Sequence, residues 1–538
     1  MMEKFIVEGA NALQGGIEPS GNKNEALPVL AAVLLANETV TLNNVPDILD
    51  IRSMCGILEE LGVGVERISP SSYAFDPTSL EKHSLESKKA SSIRGSFLLA
   101  GPLLAKRGRV ELPYPGGDRI GLRPVHVHLQ AFQQLGVSID DSQPGKFIMH
   151  ADRLQGCYLQ LEEASVMATE NALMAAVTAM GKTTIYNAAC EPHVQGLCHF
   201  LNLMGAKIEG IGSNMLQIEG VDALGGGEYR IQPDHTEVGS FIGLPAVTKS
   251  ELTIKNAGVK HLSVICNMFE KIGIRTEADG DDLIVPKTQK RKVKTDIPGG
   301  IPKIDDSPWP GFPADLTSII TVTATQCEGA VLIFEKMFES RLFWVDKLIS
   351  MGAQIILCDP HRVVVSGPSP LRGALVSSPD IRAGMARAIP ARISGDETKA
   401  PRSGDGPETT TRCGSQRMIW APMDISLSTQ KSRLSNIFSK IRTAPSHWVA
   451  VTVIILVRSA GKPGHGLSSI LGIPPGISVF TFRFCVLGTI RSSPSASVRI
   501  PIFSNMLQIT ERCFTPAFLI VNSLFVTAGR PINEPTSV

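Results

Sequence analysis

The chain has 538 residues and a formal net charge of +1, a balance that gives no electrostatic ground for a nucleic-acid or membrane partner. Its ten cysteines form no Cys-x-x-Cys pair, so there is no zinc pattern and buried reduced thiols are expected. There is no Walker phosphate loop. The start, Met1-Met-Glu-Lys-Phe-Ile-Val7, lacks an apolar signal region, so the cytoplasm is the expected location.

The first predicted unit runs from about Pro19 to Val65. Its first helix, Asn24–Ala36, is apolar nearly all round and should be buried. Strand Glu38–Leu42 follows, and Gly62 ends a second helix in the manner of a C-cap. Further units begin near Ser92, Ser165, Thr236 and Asp315, and buried helices recur at Phe97–Ala105 and Ala172–Ala179. The closing glycines, Gly62, Gly136, Gly205, Gly273 and Gly352, lie 74, 69, 68 and 79 residues apart. A period of that length is one supersecondary unit used repeatedly. Helices buried by strands of their own and neighbouring units imply an α/β fold with helices inside and sheets outside. Six units divide as three plus three, with a cleft between two lobes. The sixth opens at Asp380-Ile-Arg-Ala-Gly-Met-Ala386 and has no ending.

Residues 387–538 carry neither the repeat nor a clean helix period, as in Arg402-Ser-Gly-Asp-Gly-Pro-Glu-Thr-Thr-Thr411. The genetic code suggests their origin. Leu357-Cys-Asp-Pro-His-Arg362 can be written CTT TGC GAT CCG CAT CGG. The opposite strand, one base out of phase, reads CGA TGC GGA TCG CAA, which is Arg412-Cys-Gly-Ser-Gln416. Ile254–His261 relates to Cys513–Leu519 in the same way, and paired positions sum to 773 or 774. The complement of Asp234-His235 holds a stop triplet directly after Val538. The expectation is an antisense translation of codons for roughly 234–387, disordered and without a function of its own. Its apolar run Trp448–Val457 is too short to span a bilayer.

Three polar clusters carry candidate chemistry. Ser20-Gly-Asn-Lys-Asn24 precedes a buried helix, where a lysine and an asparagine suit an anion; taken alone, the cluster favours a capped helix with a solvated lysine. Pro115-Gly-Gly-Asp-Arg-Ile-Gly-Leu-Arg-Pro124 has three glycines, an acid and two arginines, a composition for a mobile lid bringing a proton donor or for a surface turn. Asp315, Glu339 with Arg341, and Asp380 with Arg382 open or border later units. Arginines there suit carboxylate or phosphate oxygens, or ion pairs between units.

Together Ser20–Asn24, the Pro-Gly-Gly-Asp-x-Ile-Gly-x-Arg-Pro loop, Pro233-Asp-His-Thr-Glu-Val-Gly-Ser-Phe241 and Phe338-Glu-Ser-Arg341 resemble the UDP-N-acetylglucosamine 1-carboxyvinyltransferases. These are the enolpyruvyl transferases that begin peptidoglycan synthesis and so serve the cell wall, cell shape and division. The resemblance covers residues 1 to about 386. It implies a two-lobed inside-out α/β barrel whose sixth unit is truncated here. Residues 1–22 plus 236–386 would form an incomplete catalytic lobe, and 23–235 a second lobe carrying the mobile loop 114–124, with Lys23 near the hinge.

The resemblance implies transfer of the enolpyruvyl group of phosphoenolpyruvate to the 3′-hydroxyl of UDP-N-acetylglucosamine, with no cofactor and no metal. Asp118 would be the proton donor, in place of the cysteine most relatives carry. A carboxylic acid is a poorer proton reservoir at neutral pH than a thiol, so nearby anions or lid closure must hold it partly protonated. It also lacks the thiol that fosfomycin alkylates. Asp315 would accept the sugar hydroxyl's proton, and Lys23, Arg123 and Arg382 would hold phosphate and carboxylate. Asn24, Asp50, Arg94, Pro124, Val125, His126, Val127, Ser165, Val166, Met337, Phe338, Arg341 and Asp380 would line the substrate cleft. His126 stands where many relatives have aspartate, and Glu163 where some have lysine. Two other expectations are weighed: a non-catalytic remnant that still binds nucleotide sugar, and a 3-phosphoshikimate enolpyruvyl transferase, which would lack this loop. Replacement of the sixth unit's end would expose apolar faces and a strand edge, so the chain is expected to be inactive.

Overall fold

The computed structural model describes residues 13 and 15–372 except 86, 87, 118–123, 141, 143, 144, 296, 339 and 340. It also describes the backbone of strands Lys4–Val7, Thr398–Pro401, Thr411–Cys413, Gln416–Met418, Val449–Arg458 and Ile477–Val486.

The repeat rests on one backbone device used five times. Gly62, Gly136, Gly205, Gly273 and Gly352 have φ of 104°, 92°, 105°, 81° and 103°. In the first, Gly62 N–H donates to Glu59 O (3.1 Å) and Val63 N–H to Leu58 O (3.0 Å). The same pair of bonds recurs at the other four glycines, ending with Gly352 to Ile349 and Ala353 to Leu348, each 3.0 Å. This is the Schellman stop, which needs a residue at positive φ to fold the chain back over the last carbonyls. It ends helices Leu49–Leu61, His126–Gln134, Pro192–Leu203, Ser263–Lys271 and Val345–Ser350.

Each unit also has an inner helix: Lys23–Ala32, Ala100–Arg107, Val166–Ala176, His235–Thr248 and Thr317–Ala324. Every residue of Thr317–Ala324 is buried, as is Glu25 through Ala32 of the first. A helix apolar on all sides must be enclosed, and the sheets enclose it. Within a sheet, the strand after the inner helix pairs antiparallel with a later strand and parallel with one from elsewhere. Leu252–Ile254 pairs antiparallel with Asp282–Val285 and parallel with Gly16–Ile17. Val40–Asn43 pairs antiparallel with Ser72–Asp76 and parallel with Gly227–Arg230, which joins the third unit back to the first.

Two hydrophobic cores result. One runs from Ala26 to Ile231 and the other from Val238 to Leu371, with Ile17 packed on the second. Among the described residues the first core carries three sheets, of four, four and three strands, and the second carries two four-stranded sheets.

Element boundaries differ from the sequence reading. The first helix gives way after Ala32 to a 3-10 turn, Val33–Leu35, and its strand begins at Val40 rather than Glu38. Phe97–Ala105 divides into a 3-10 turn, Arg94–Leu99, and an α-helix from Ala100. Asn171 holds that junction, donating to Phe97 O (3.0 Å) while its Oδ1 accepts from Gly101 N–H (2.9 Å). Only glycine fits at 101, because a Cβ there would lie 2.4 Å from Asn171 O.

Asp424–Val538 is a separate compact unit in which Val449–Arg458 and Ile477–Val486 pair antiparallel. No helix among the described residues is long and apolar enough to cross a membrane. None of their His, Cys, Asp and Glu side chains group as a metal site.

Candidate active site

The three inner helices of the first core point the same way. Leu35, Arg107 and Thr178, at or just beyond their C-terminal ends, line a single cavity of about 560 Å³. Their N-terminal turns therefore share the opposite end of the lobe. There the sequence places Lys23 and Asn24, Arg94, and Ser165 with Val166. A helix start favours an anion where its N–H groups lack a protein partner.

Lys23 opens the first of these helices. Asn22 caps it, its Oδ1 accepting from Asn24 N–H (2.8 Å) and Glu25 N–H (3.3 Å). The Lys23 ammonium lies 2.6 Å from Asp50 Oδ2, which projects from the first turn of Leu49–Leu61. Asn24 is exposed beside it. Ser165 caps Val166–Ala176 without a side-chain bond, which leaves that helix start to a ligand or water.

The start of loop 114–124 lies against Arg94. A Cβ on Gly116 would meet Ser91 O at 2.1 Å, and one on Gly117, whose φ is +97°, would meet Arg94 Cβ at 3.1 Å. The glycines thus let the loop backbone rest on the turn that carries Arg94. Asp118 and Arg123 lie outside the described residues. Pro124 is exposed, Val125 half-buried and Val127 buried. His126 Nε2 lies 3.5 Å from Glu162 Oε2, so its imidazole faces the loop before Ser165.

From the second core comes Asp315, in the 3-10 turn Ala314–Leu316 ahead of helix Thr317–Ala324. Its negative charge acts on both His193 and His235. Met337 is exposed, and its N–H donates to buried Asp306 (3.4 Å). Phe338 is half-buried beside it. Arg341 is described by its backbone alone, and Asp380 and Arg382 lie outside the described residues.

Sequence reasoning missed a set of buried ionisable groups behind this surface. Burial pushes the Glu25 carboxyl up to about 8, although Tyr229 and Gln232 bond it. Burial raises Glu237 to about 7, with its Oε2 accepting from Ser20 N–H at 2.6 Å. Glu170 and Glu191 are raised by burial too, while burial lowers His193 to about 3. The signal for Glu25 was legible: a lone acid in an otherwise apolar helix.

Residues 7–404 match the family model described as EPSP synthase (3-phosphoshikimate 1-carboxyvinyltransferase). UDP-N-acetylglucosamine 1-carboxyvinyltransferase of Bradyrhizobium diazoefficiens is 54% identical over 388 residues, 72% of this chain and 90% of the relative. The chain belongs to the UDP-N-acetylglucosamine 1-carboxyvinyltransferase family. Another carboxyvinyltransferase of that name, from Treponema denticola, is 52% identical over 390 residues, 72% of this chain and 91% of its own length. The enolpyruvyl transferase NikO from Streptomyces tendae shares the fold at a TM-score of 0.66 and 21% identity, covering 74% of this chain and 93% of its own. EPSP synthase from Acinetobacter baumannii follows at 0.58 and 17%, covering 74% and 94%. Relatives at 49–54% identity are named UDP-N-acetylglucosamine 1-carboxyvinyltransferase, so the shikimate alternative is not favoured.

Proposed function

We propose that this protein transfers the enolpyruvyl group of phosphoenolpyruvate to the 3′-hydroxyl of UDP-N-acetylglucosamine in the cytoplasm, releasing phosphate. The observation that carries the reading is 54% identity to a transferase of that name over 388 residues. In the reaction the sugar oxygen bonds to C2 of phosphoenolpyruvate while C3 gains a proton. Loss of a C3 proton and of phosphate then restores the double bond.

Asp315 is assigned to take the hydroxyl proton and Asp118 to protonate C3. Lys23, Arg123 and Arg382 are assigned to the phosphate and carboxylate, where fixed charges stabilise the transition state without reorganising. Asn24, Asp50, Arg94, Ser165, Val166, Met337, Phe338, Arg341 and Asp380 are assigned to the substrate cleft, together with Pro124 to Val127.

A second proposal concerns the chain's end. Residues 387–538 stand where the sixth unit would finish, so the chain binds nucleotide sugar but transfers poorly. The favouring observation is in the sequence: the sixth unit opens at Asp380-Ile-Arg-Ala-Gly-Met-Ala386, and residues 387–538 do not carry the repeat of the first five units.

The experiment is inorganic phosphate release by the full chain and by a chimera. The chimera replaces 387–538 with the corresponding last segment of the Bradyrhizobium relative. Phosphate release by the chimera that requires both substrates supports the transferase; none would sink it. A full chain as fast as the chimera would sink the second proposal alone.

A further inference from the structure

The segment Pro233–Phe241 takes no part in the proposed chemistry, yet one of its side chains touches both cores. His235 opens helix His235–Thr248, where the chain passes from the first core to the second, and it is only 5% exposed. The other passage, Ser20–Asn22, runs beside it. Asn22 N–H donates to Gln232 O (2.8 Å) and Asp234 N–H to Ser20 O (2.9 Å). A Cβ at Gly21 would lie 1.7 Å from Asn44 O, so the crossing is closed to any larger residue.

His235 touches both sides of this crossing. Its Nδ1 lies 3.3 Å from Asn22 Nδ2. The Asn22 amide is oriented by its other end, because Oδ1 already accepts from Asn24 and Glu25 N–H. Asn22 Nδ2 is therefore the donor and His235 Nδ1 the acceptor. That fixes the proton on Nε2 and the ring as neutral. Burial holds the ring neutral as well, against the opposing charges of Asp234 and Asp315. The ring stacks on His193 of the first core, with centroids 6.1 Å apart at 11°, and meets Trp309 of the second edge-on at 5.8 Å. Trp309 O in turn accepts from Cys190 Sγ (3.3 Å), just ahead of the helix that carries His193.

We propose that His235 is a positioning residue, which fixes the Lys23–Asn24 helix start against the Asp315 turn by accepting from Asn22 while wedged between His193 and Trp309. It touches no reacting atom. It holds the Asn22 cap ahead of Lys23 and Asn24, and its ring lies close enough to Asp315 to feel that charge. This rests on the transferase reading for its ligand, not for its geometry.

Two measurements on the full chain test it. The first is the tautomer of His235 by long-range ¹H–¹⁵N NMR, assigned with His235→Asn. A proton on Nε2 is expected; a proton on Nδ1 overturns the proposal.

The second is calorimetric affinity for UDP-N-acetylglucosamine. His235→Phe keeps the ring but leaves Asn22 Nδ2 buried without an acceptor, so affinity should fall about ten-fold. His235→Asn puts a carboxamide oxygen near the place of Nδ1 and should recover most of that loss. Unchanged affinity in the phenylalanine variant overturns the proposal. So do equal losses in both variants that track their melting temperatures, since a purely structural role would give that result. A wild-type chain that binds no nucleotide sugar refutes the transferase reading instead. The NMR result then still decides the Asn22 bond, and Asn24 and Glu25 amide shifts that do not move in His235→Phe would overturn the positioning.

Discussion

Lys23 and Asp50 form a 2.6 Å ion pair between the start of the first unit's inner helix and the start of its outer helix. Both side chains keep some solvent contact, so the pair itself is worth only about 0–1 kcal/mol. Its consequence is placement: an otherwise flexible ammonium is held at a helix start that favours anions. Asp50→Asn should leave the melting temperature nearly unchanged and weaken phosphoenolpyruvate binding by about three- to ten-fold, a loss of roughly 1 kcal/mol. Lys23→Ala should weaken it further. Calorimetric titration of both variants checks this ordering, and an Asp50→Asn variant that binds more tightly would show that the carboxylate competes with the ligand.

Glu25 makes a prediction about pH. Tyr229 Oη lies 2.9 Å from Glu25 Oε1 and 3.0 Å from Gly196 O, yet a phenol has one hydrogen to give. Both contacts are hydrogen bonds if Glu25 is protonated, donates to Tyr229 Oη, and leaves the phenol to serve Gly196. Burial agrees, raising the carboxyl from 4.5 to about 8. Because the folded value is the higher one, stability from this group is complete below pH 4.5 and is lost as pH rises toward about 8. Glu25→Gln keeps a donor for Tyr229 and removes the titration. The melting-temperature difference, variant minus wild type, should grow in the variant's favour between those values and level off above them. A difference independent of pH would mean that the acid is ionised in the folded protein.

The repeat was legible because one solution recurs. A Schellman stop favours glycine, so five glycines at similar spacing reveal five helix ends without any knowledge of packing. The clusters at Lys23 and Asp315 were legible for a related reason, since charge beside an enclosed helix needs a purpose. What stayed hidden depends on partners far away in sequence. Gly16–Ile17 is too short to show strand periodicity, and only its pairing with Thr253–Ile254 gives it meaning. The motif Pro233–Phe241 gives His235 no role, because its role comes from Asn22, His193 and Trp309. The first helix gives way to the 3-10 turn Val33–Leu35, and the carbonyls of Leu35 and Ala36 there accept from Lys106 Nζ, about seventy residues away, a partner no local pattern announces.

The repeated glycines separate backbone strain from crowding. Gly205 and Gly62 have nearly equal φ, 105° and 104°. A Cβ on Gly205 would meet nothing within 4 Å, whereas one on Gly62 would lie 2.5 Å from Ser79 O. Gly205→Ala should therefore cost only the left-handed penalty, about 1–2 kcal/mol. Gly62→Ala should cost clearly more, because a backbone carbonyl must also move. Urea denaturation of the two variants reads the difference directly, and equal losses would mean that the Ser79 segment yields freely.

The last prediction concerns residue 118. By resemblance the loop presents aspartate where most of the family presents cysteine. A thiolate is a far better nucleophile toward an epoxide than a carboxylate, and at neutral pH a small fraction of a free thiol is in that form. The wild-type chain should gain no mass on Asp118 when incubated with fosfomycin, while Asp118→Cys should gain one adduct on the new thiol. Seven other cysteines lie among the described residues, of which Cys358 is exposed and Cys55, Cys190, Cys198 and Cys327 are buried. Burial raises the Cys55, Cys198 and Cys327 thiols to about 12, so they should stay unmodified. Peptide mapping distinguishes labelling of the introduced loop thiol from labelling at Cys358. The experiment needs no turnover, so it reads the loop's chemistry whether or not the replaced end permits catalysis. An adduct on wild-type Asp118 would overturn the expectation that aspartate confers resistance.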